Sequence, residues 1–243
     1  MRLAYMLFMS LTGDSSTIAA GSVIIVVHST GQAFAVPLQA LLRSCGLFCQ
    51  AATEQPSAVK PFDVLYLPIQ DTESFSIYIH WLKRGLIPTK TSESSARAAY
   101  LLIRTREQWT ILFRLYILGQ QLMDIAFQDT IIDAMIADAL DMPRSRIVSL
   151  PTLQQIEFLW ANTEDKAPAR TLIQQLIVCA DQGADFANDF NKQEYFVMMK
   201  SYVNPVVIDV KMVRENAVTC VYHAHDAGEG CFRDEMGSKK VKV

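Results

Sequence analysis

The chain has 243 residues, 51% of them apolar and only 19% charged, with a net charge of −3. That is enough for one large domain or two small ones with a sizeable core. It lacks the basic excess that a nucleic-acid partner or an anionic membrane would call for, and it contains no run of roughly 18 apolar residues that could span a bilayer.

Residues 1–11 open with Arg2 and then Leu3, Ala4, Tyr5, Met6, Leu7, Phe8 and Met9. Two readings stand: a faint secretory signal without a convincing cleavage site, or an apolar leader that packs on the domain behind it. Ser22–Val27 reads Ser-Val-Ile-Ile-Val-Val, a β-branched run of strand length. Gly31 supplies a turn, and residues 33–36 resume an apolar segment, so a hairpin is expected. Pro37 is expected at the first helical position, where a missing N–H is harmless. Leu38, Leu41, Leu42 and Cys45 then recur at helical spacing.

Residues 53–61, with Pro56 and Pro61, read as a loop, and residues 63–67 as a short strand. Asp71 and Thr72 are candidate caps of a helix whose apolar face carries Phe75, Tyr78, Ile79 and Leu82, with Gly85 closing it. Residues 89–96 are Ser/Thr-rich and read as a solvated insertion. Two amphipathic helices are expected over 109–123 and 124–140. A linker bracketed by Pro143 and Pro151 comes next, then helices at 153–160, 169–181 and 192–202. Strands first and helices afterwards predict an α+β fold, a small sheet covered by helices with an all-helical extension.

These residues resemble the BTB/POZ family, in particular its filamentous-fungal members. The Ser22–Val27 strand, the Gly31 turn and Phe34-Ala35-Val36 are similar to that family's first hairpin. The stretch from Leu41-Leu42 through Ser44 to Phe48, followed by Ala51-Ala52, is similar to its next helical segment. Trp81-Leu82-Lys83-Arg84-Gly85 resembles a helix end of the family, and residues 112–136 resemble its last helix pair. The resemblance covers residues 22–140. Two positions depart from the family pattern: Gly21-Ser22 stands where an Asp is usual, and Pro37-Leu38 where His-Lys is usual. Both positions commonly shape the family's self-association surface.

The resemblance implies a protein-interaction module with protein partners, a second copy of the chain among them. A cullin of a ubiquitin ligase is a further candidate, but the matching stretch Ala52-Thr53-Glu54 offers an acid beside a mere methyl group. Replacing a buried Leu- or Met-sized side chain by Ala forfeits about 2–5 kcal/mol, so cullin binding is expected to be weak. The segmentation implied is a leader at 1–20, a BTB/POZ-like domain at 21–141, a helical extension at 142–203 and a tail at 204–243.

Catalytic motifs are absent: there is no nucleophile elbow, P-loop, His-Glu-x-x-His pair or Gly-x-Gly-x-x-Gly turn. Gly228-Glu229-Gly230 has no strand before it, and Asp181, Asp185 and Asp189 read as a solvated helix face. Cys45, Cys49 and Cys179 sit among apolar neighbours as inert thiols, His28 and His80 read as structural, and Trp81, Trp109 and Trp160 as helix anchors. No catalytic residue and no organic cofactor are expected. An enzyme with a dispersed site and a transcription-related regulator remain the rival classes, Lys239, Lys240 and Lys242 giving only a thin import signal. Five cysteines without framework spacing fit free thiols in a reducing, intracellular compartment, cytoplasmic or nuclear.

One cluster stands apart. Cys220, His223, His225 and Cys231 concentrate thiol and imidazole ligands in twelve residues. Zinc needs such groups close enough to converge tetrahedrally, and these four are the candidate metal ligands. Their spacing matches no standard finger, so a polar tail with incidental histidines is the competing reading.

Overall fold

The computed structural model describes residues 7–9, 21–27, 31–54, 64–67, 71–85, 87, 108–141, 146–147, 150–181, 211–213, 215, 220–225 and 231. Residues 55–63, the insertion at 89–96 and the helix expected at 192–202 lie outside these. So do His28, Asp185, Asp189, Gly228 to Gly230 and the lysines at 239, 240 and 242. The fold is mixed α+β, and its contacts group into two units, Met1–Ile87 with Leu118–Phe127, and Pro88–Ile117 with Gln128–Val243.

The first unit is built on a sheet of β1 (Leu7–Met9), β2 (Ser22–Val27), β3 (Gln32–Pro37) and β4 (Val64–Leu67), in the order β1-β4-β2-β3. The β2–β3 pair is the expected hairpin, in register from Ser22↔Pro37 to Val27↔Gln32. Gly31 sits at φ +67° and donates its N–H to the Val27 carbonyl, in the left-handed region that glycine enters without strain. Val23, Ile25 and Val27 alternate onto the buried face of β2. β4 runs parallel to β2, which requires a crossover, and helices α1 (Leu38–Ser44) and α2 (Gly46–Glu54) lie in it. Part of the N-terminal leader forms β1, antiparallel to β4 with Leu7 opposite Tyr66.

Pro37 departs from expectation. It ends β3 and serves as the N-cap of α1, at ψ 119°, instead of opening the helix. The ladder to Ser22 holds it extended, and the first free helical N–H, that of Leu38, is taken by the Gly21 carbonyl at 2.9 Å. Helix α3 (Thr72–Arg84) begins and ends as its sequence predicts. Asp71 accepts the Ser74 N–H at 3.0 Å, and Gly85 closes the helix at φ +67°. Its buried face threads Phe75, Tyr78 and Trp81 into an aromatic cluster with Phe34 and Phe127, with centroids 4.9–5.9 Å apart.

Helices α4 (Gln108–Gln121) and α5 (Ile125–Ala139) contribute to both units. The turn between them, in the first unit, passes through Met123 at φ +54° to Asp124, which is fully buried. Asp124 accepts hydrogen bonds from Tyr78 Oη (2.8 Å), from the Phe127 N–H (2.9 Å) and from Ser44 Oγ. The turn's carbonyls accept from the α1–α2 junction: Gly46 N–H to Met123 O at 3.1 Å, Leu47 N–H to Leu122 O at 3.1 Å, and Cys45 Sγ to Leu122 O. The approach is so close that a Cβ on Gly46 would lie 2.7 Å from the Met123 oxygen.

In the second unit Trp109, Phe113 and Tyr116 of α4, and Ile131, Ile132 and Met135 of α5, are buried. A two-stranded ladder pairs β5 (Leu140–Asp141), whose Leu140 was expected to end the preceding helix, with β6 (Arg146–Ile147), which lies in the linker expected between Pro143 and Pro151. Helix α6 (Leu153–Asn162) starts with a reciprocal capping box between Thr152 and Gln155, and Gln155 Nε2 also donates to Thr110 Oγ1 at 2.8 Å. Helix α7 (Pro168–Asp181) presents Leu172, Ile173, Leu176 and Ile177 to the interior. Arg170, only 7% exposed, holds the α6–α7 turn. Its guanidinium donates to the carbonyls of Trp160 and Thr163, to Thr163 Oγ1 and to Asp165, and lies over the Trp160 ring. Among the described residues no helix is long and apolar enough to cross a membrane.

Candidate metal centre

The second unit brings all four expected ligands together. One ligand atom from each of Cys220, His223, His225 and Cys231 lies within 4.8 Å of every other. The convergence begins with a reverse turn in which Cys220, at φ +60°, accepts the His223 N–H at 3.0 Å. Tyr222 inside that turn is fully buried, and its hydroxyl donates to Gln175 Oε1 of α7. Val221 beside it faces outward, 54% exposed. The segment is therefore docked by a buried aromatic ring, which the reading of a loose polar tail did not anticipate.

The spacings suit zinc. A tetrahedral ion with Zn–S of about 2.3 Å and Zn–N of about 2.0–2.1 Å sets S···S edges near 3.8 Å and S···N edges near 3.6 Å. Cys220 Sγ and Cys231 Sγ are 3.9 Å apart, and Cys231 Sγ lies 3.6 Å from His223 Nδ1. The donor set, two thiols and two imidazoles, is that of a closed structural site, in which protein ligands fill the tetrahedron and no position is left for a substrate.

Two residues at the centre were not singled out from sequence, Asp129 and Asp133 of α5. One helical turn apart, they share a face of that helix. Asp129 Oδ1 accepts the N–H of Ala224, the residue between the two histidines, while Oδ2 lies 3.8 Å from His223 Nδ1 and 3.9 Å from His225 Nε2. Asp133 Oδ1 lies 3.2 Å from His223 Nε2. Burial raises the Asp129 pKa above the ordinary carboxylate value; the Ala224 N–H and the two histidines work against that rise, and Asp133 adds to it. A divalent cation among these groups would act in the opposite sense and favour the carboxylate. The detectable signal in the sequence is an acid pair at helical spacing, Asp129 and Asp133, in a helix that is mostly apolar.

None of the five cysteines forms a disulfide; Cys45 and Cys179 are buried as expected, whereas Cys49 is half-buried. Burial, the largest cause, pushes the Cys45 pKa up to about 12, which makes it inert at neutral pH. Trp81 and Trp109 are buried, while Trp160 is half-buried under Arg170. The side chains of Ala52, Thr53 and Glu54 lie outside the described residues. Comparison with protein-family models, with curated proteins and with solved structures found no match to this chain.

Proposed function

We propose that this chain is a non-enzymatic protein-interaction module of the BTB/POZ kind, whose C-terminal segment is fastened to helices α5 and α7 by a structural zinc ion. The observation that carries the zinc reading is the convergence of Cys220, His223, His225 and Cys231 within 4.8 Å. Residues 220–231 contain few large apolar side chains beyond Tyr222, too little burial to offset the entropy of ordering them. Metal ligation supplies what packing lacks, since apparent zinc binding in finger peptides is worth roughly 10–16 kcal/mol at neutral pH. The interaction reading is supported by the β2–β3 hairpin and the α4–α5 pair, the elements for which the resemblance gives a first hairpin and a last helix pair. The partner class is another protein, a second copy of the chain being the first to test.

Elemental analysis of protein purified without a metal-affinity tag tests the zinc reading. The wild type is expected to carry one zinc per chain and the Cys220→Ser/Cys231→Ser variant none. Affinity should fall as the pH is lowered, because both thiols must lose protons to bind. Equal zinc in the two proteins, or none in the wild type, would sink the reading.

A further inference from the structure

We propose that Asp133 is the positioning residue of the metal centre. By accepting the Nε2 proton of His223, it leaves the Nδ1 lone pair directed at the thiols, so that Nδ1 and not Nε2 is the ligand atom. The inference rests on the zinc reading and goes beyond it, because the four-ligand set does not by itself say which ring nitrogen binds.

The geometry fixes the two ends of the imidazole separately. Nε2 is 3.2 Å from Asp133 Oδ1, and a carboxylate oxygen can only accept, so that nitrogen carries the hydrogen. In a neutral imidazole the other nitrogen then holds the lone pair. That nitrogen, Nδ1, is the one 3.6 Å from Cys231 Sγ, close to a tetrahedral S···N edge. The reverse arrangement would set a protonated Nδ1 against a thiolate and turn the ligating lone pair towards Asp133. The His223 side chain is 1% exposed, so water cannot readily replace the carboxylate as partner, whereas Asp133, at 25%, can be substituted without opening a cavity. Asp129 holds the backbone between the two histidines through the Ala224 N–H, and its other oxygen, 3.8 Å from His223 Nδ1, is too far for a hydrogen bond to the ring, whereas Asp133 is within reach of Nε2. An outer carboxylate of this kind fixes the tautomer and raises ligand basicity, and losing one typically costs 10–100-fold in metal affinity.

The test uses the full chain, tag-free, with zinc affinity measured by competition against a chromophoric chelator. Asp133→Ala should bind zinc about 10–100-fold more weakly than the wild type. Asp133→Asn should fall between them, since its amide oxygen still accepts the hydrogen bond without the charge. Glu164→Ala, which removes the same charge from the exposed turn before α7, should bind like the wild type. In the zinc-loaded wild type, ¹⁵N-histidine correlation spectra should show His223 bound through Nδ1 and protonated at Nε2, a readout that a purely structural role for Asp133 would not produce. Wild-type zinc binding with coordination through Nε2, or with Asp133→Ala within about twofold of the wild type, would overturn the proposal. A wild type that binds no zinc removes the zinc reading itself.

Discussion

Asp124 stands just before helix α5 and Asp129 in its second turn, and both side chains are all but sealed from solvent. Their surroundings differ in kind. In the first unit Asp124 accepts from neutral donors, Tyr78 Oη, Ser44 Oγ and the Phe127 N–H, and the Tyr78 and Phe127 rings pack on each other edge to face. In the second unit Asp129 meets one backbone N–H, two histidines and a neighbouring acid, with two thiols beside them. The first acid is satisfied by the protein alone and fastens a turn. The second belongs to a group rich in lone pairs and short of positive charge, which a cation would complete. A buried carboxylate is thus a finished structural element or part of a ligand site according to the donors around it.

The largest effect is expected from removing the proposed zinc ion. A chelator, or the Cys220→Ser/Cys231→Ser pair, should raise hydrogen exchange across residues 220–225 and lower the melting temperature, while the exchange of α3 stays as it was. The next effect is Asp124→Ala. It strands the buried Tyr78 hydroxyl and the Phe127 N–H in a dry interior and takes the acceptor from the half-buried Ser44 hydroxyl, at a cost of about 3–5 kcal/mol in chemical denaturation. The loss should be the same with and without chelator. A loss that shrinks when zinc is stripped would mean that the two acids act as one network, and the contrast between them would fail.

Alkaline pH should sharpen the contrast, because it acts on the two regions in opposite directions. Cys45 ionises near its ordinary value of 9.0 in the unfolded chain and only at about 12 in the native one, chiefly because it is buried. The unfolded state therefore releases its proton first as the pH rises. The stabilisation is fully present below about pH 9 and is lost towards pH 12, amounting to about 2 kcal/mol by about pH 10.5. Tyr78, pushed well above its ordinary value by burial and by the nearby Cys45 and Asp124, adds to the same slope. Metal-bound thiolates behave the other way, since higher pH favours their deprotonated form. Denaturation between pH 8 and pH 10.5 should show the loss, with a shallower slope in Cys45→Ala. An unchanged slope would mean that the Cys45 thiol is not sealed from water.

What was legible in the sequence was mostly local. The β-branched run at Ser22–Val27, the Gly31 turn, the Asp71 cap and the Gly85 stop each depend on neighbours a few positions away, and each takes the expected form. The four metal ligands could be seen because they crowd into one short stretch. The roles of Asp124, Asp129 and Asp133 could not be seen, because their partners lie far along the chain: 80 positions away for Ser44, 90 for His223 and 95 for Ala224. The β1–β4 pairing and the two-residue β5–β6 ladder were hidden for related reasons, one being non-local and the other too short for a periodic signal. Helix α1 begins one position later than expected, at Leu38, because the fixed φ of Pro37 suits both a strand end and a first helical turn, and only the ladder to Ser22 decides between them.

The smallest effect comes from a second helix start, which separates capping from burial. Thr152 caps α6 as Asp124 caps α5: its hydroxyl accepts the Gln155 N–H at 3.4 Å, and the Gln155 side chain returns to the Thr152 N–H at 2.8 Å. Unlike Asp124, Thr152 is exposed, so water can take over whatever the hydroxyl releases. Thr152→Ala should therefore cost only about 1 kcal/mol, the usual worth of an N-cap. The Gln155 side chain would keep its bond to Thr110 Oγ1, which limits the loss further. Denaturant titrations of Thr152→Ala and Asp124→Ala under one set of conditions put the two side by side. If burial sets the gap, the Asp124 variant loses several times more. Equal losses would mean that the cap bond alone carries the effect, and that the hydroxyls of Tyr78 and Ser44 contribute nothing to holding the turn.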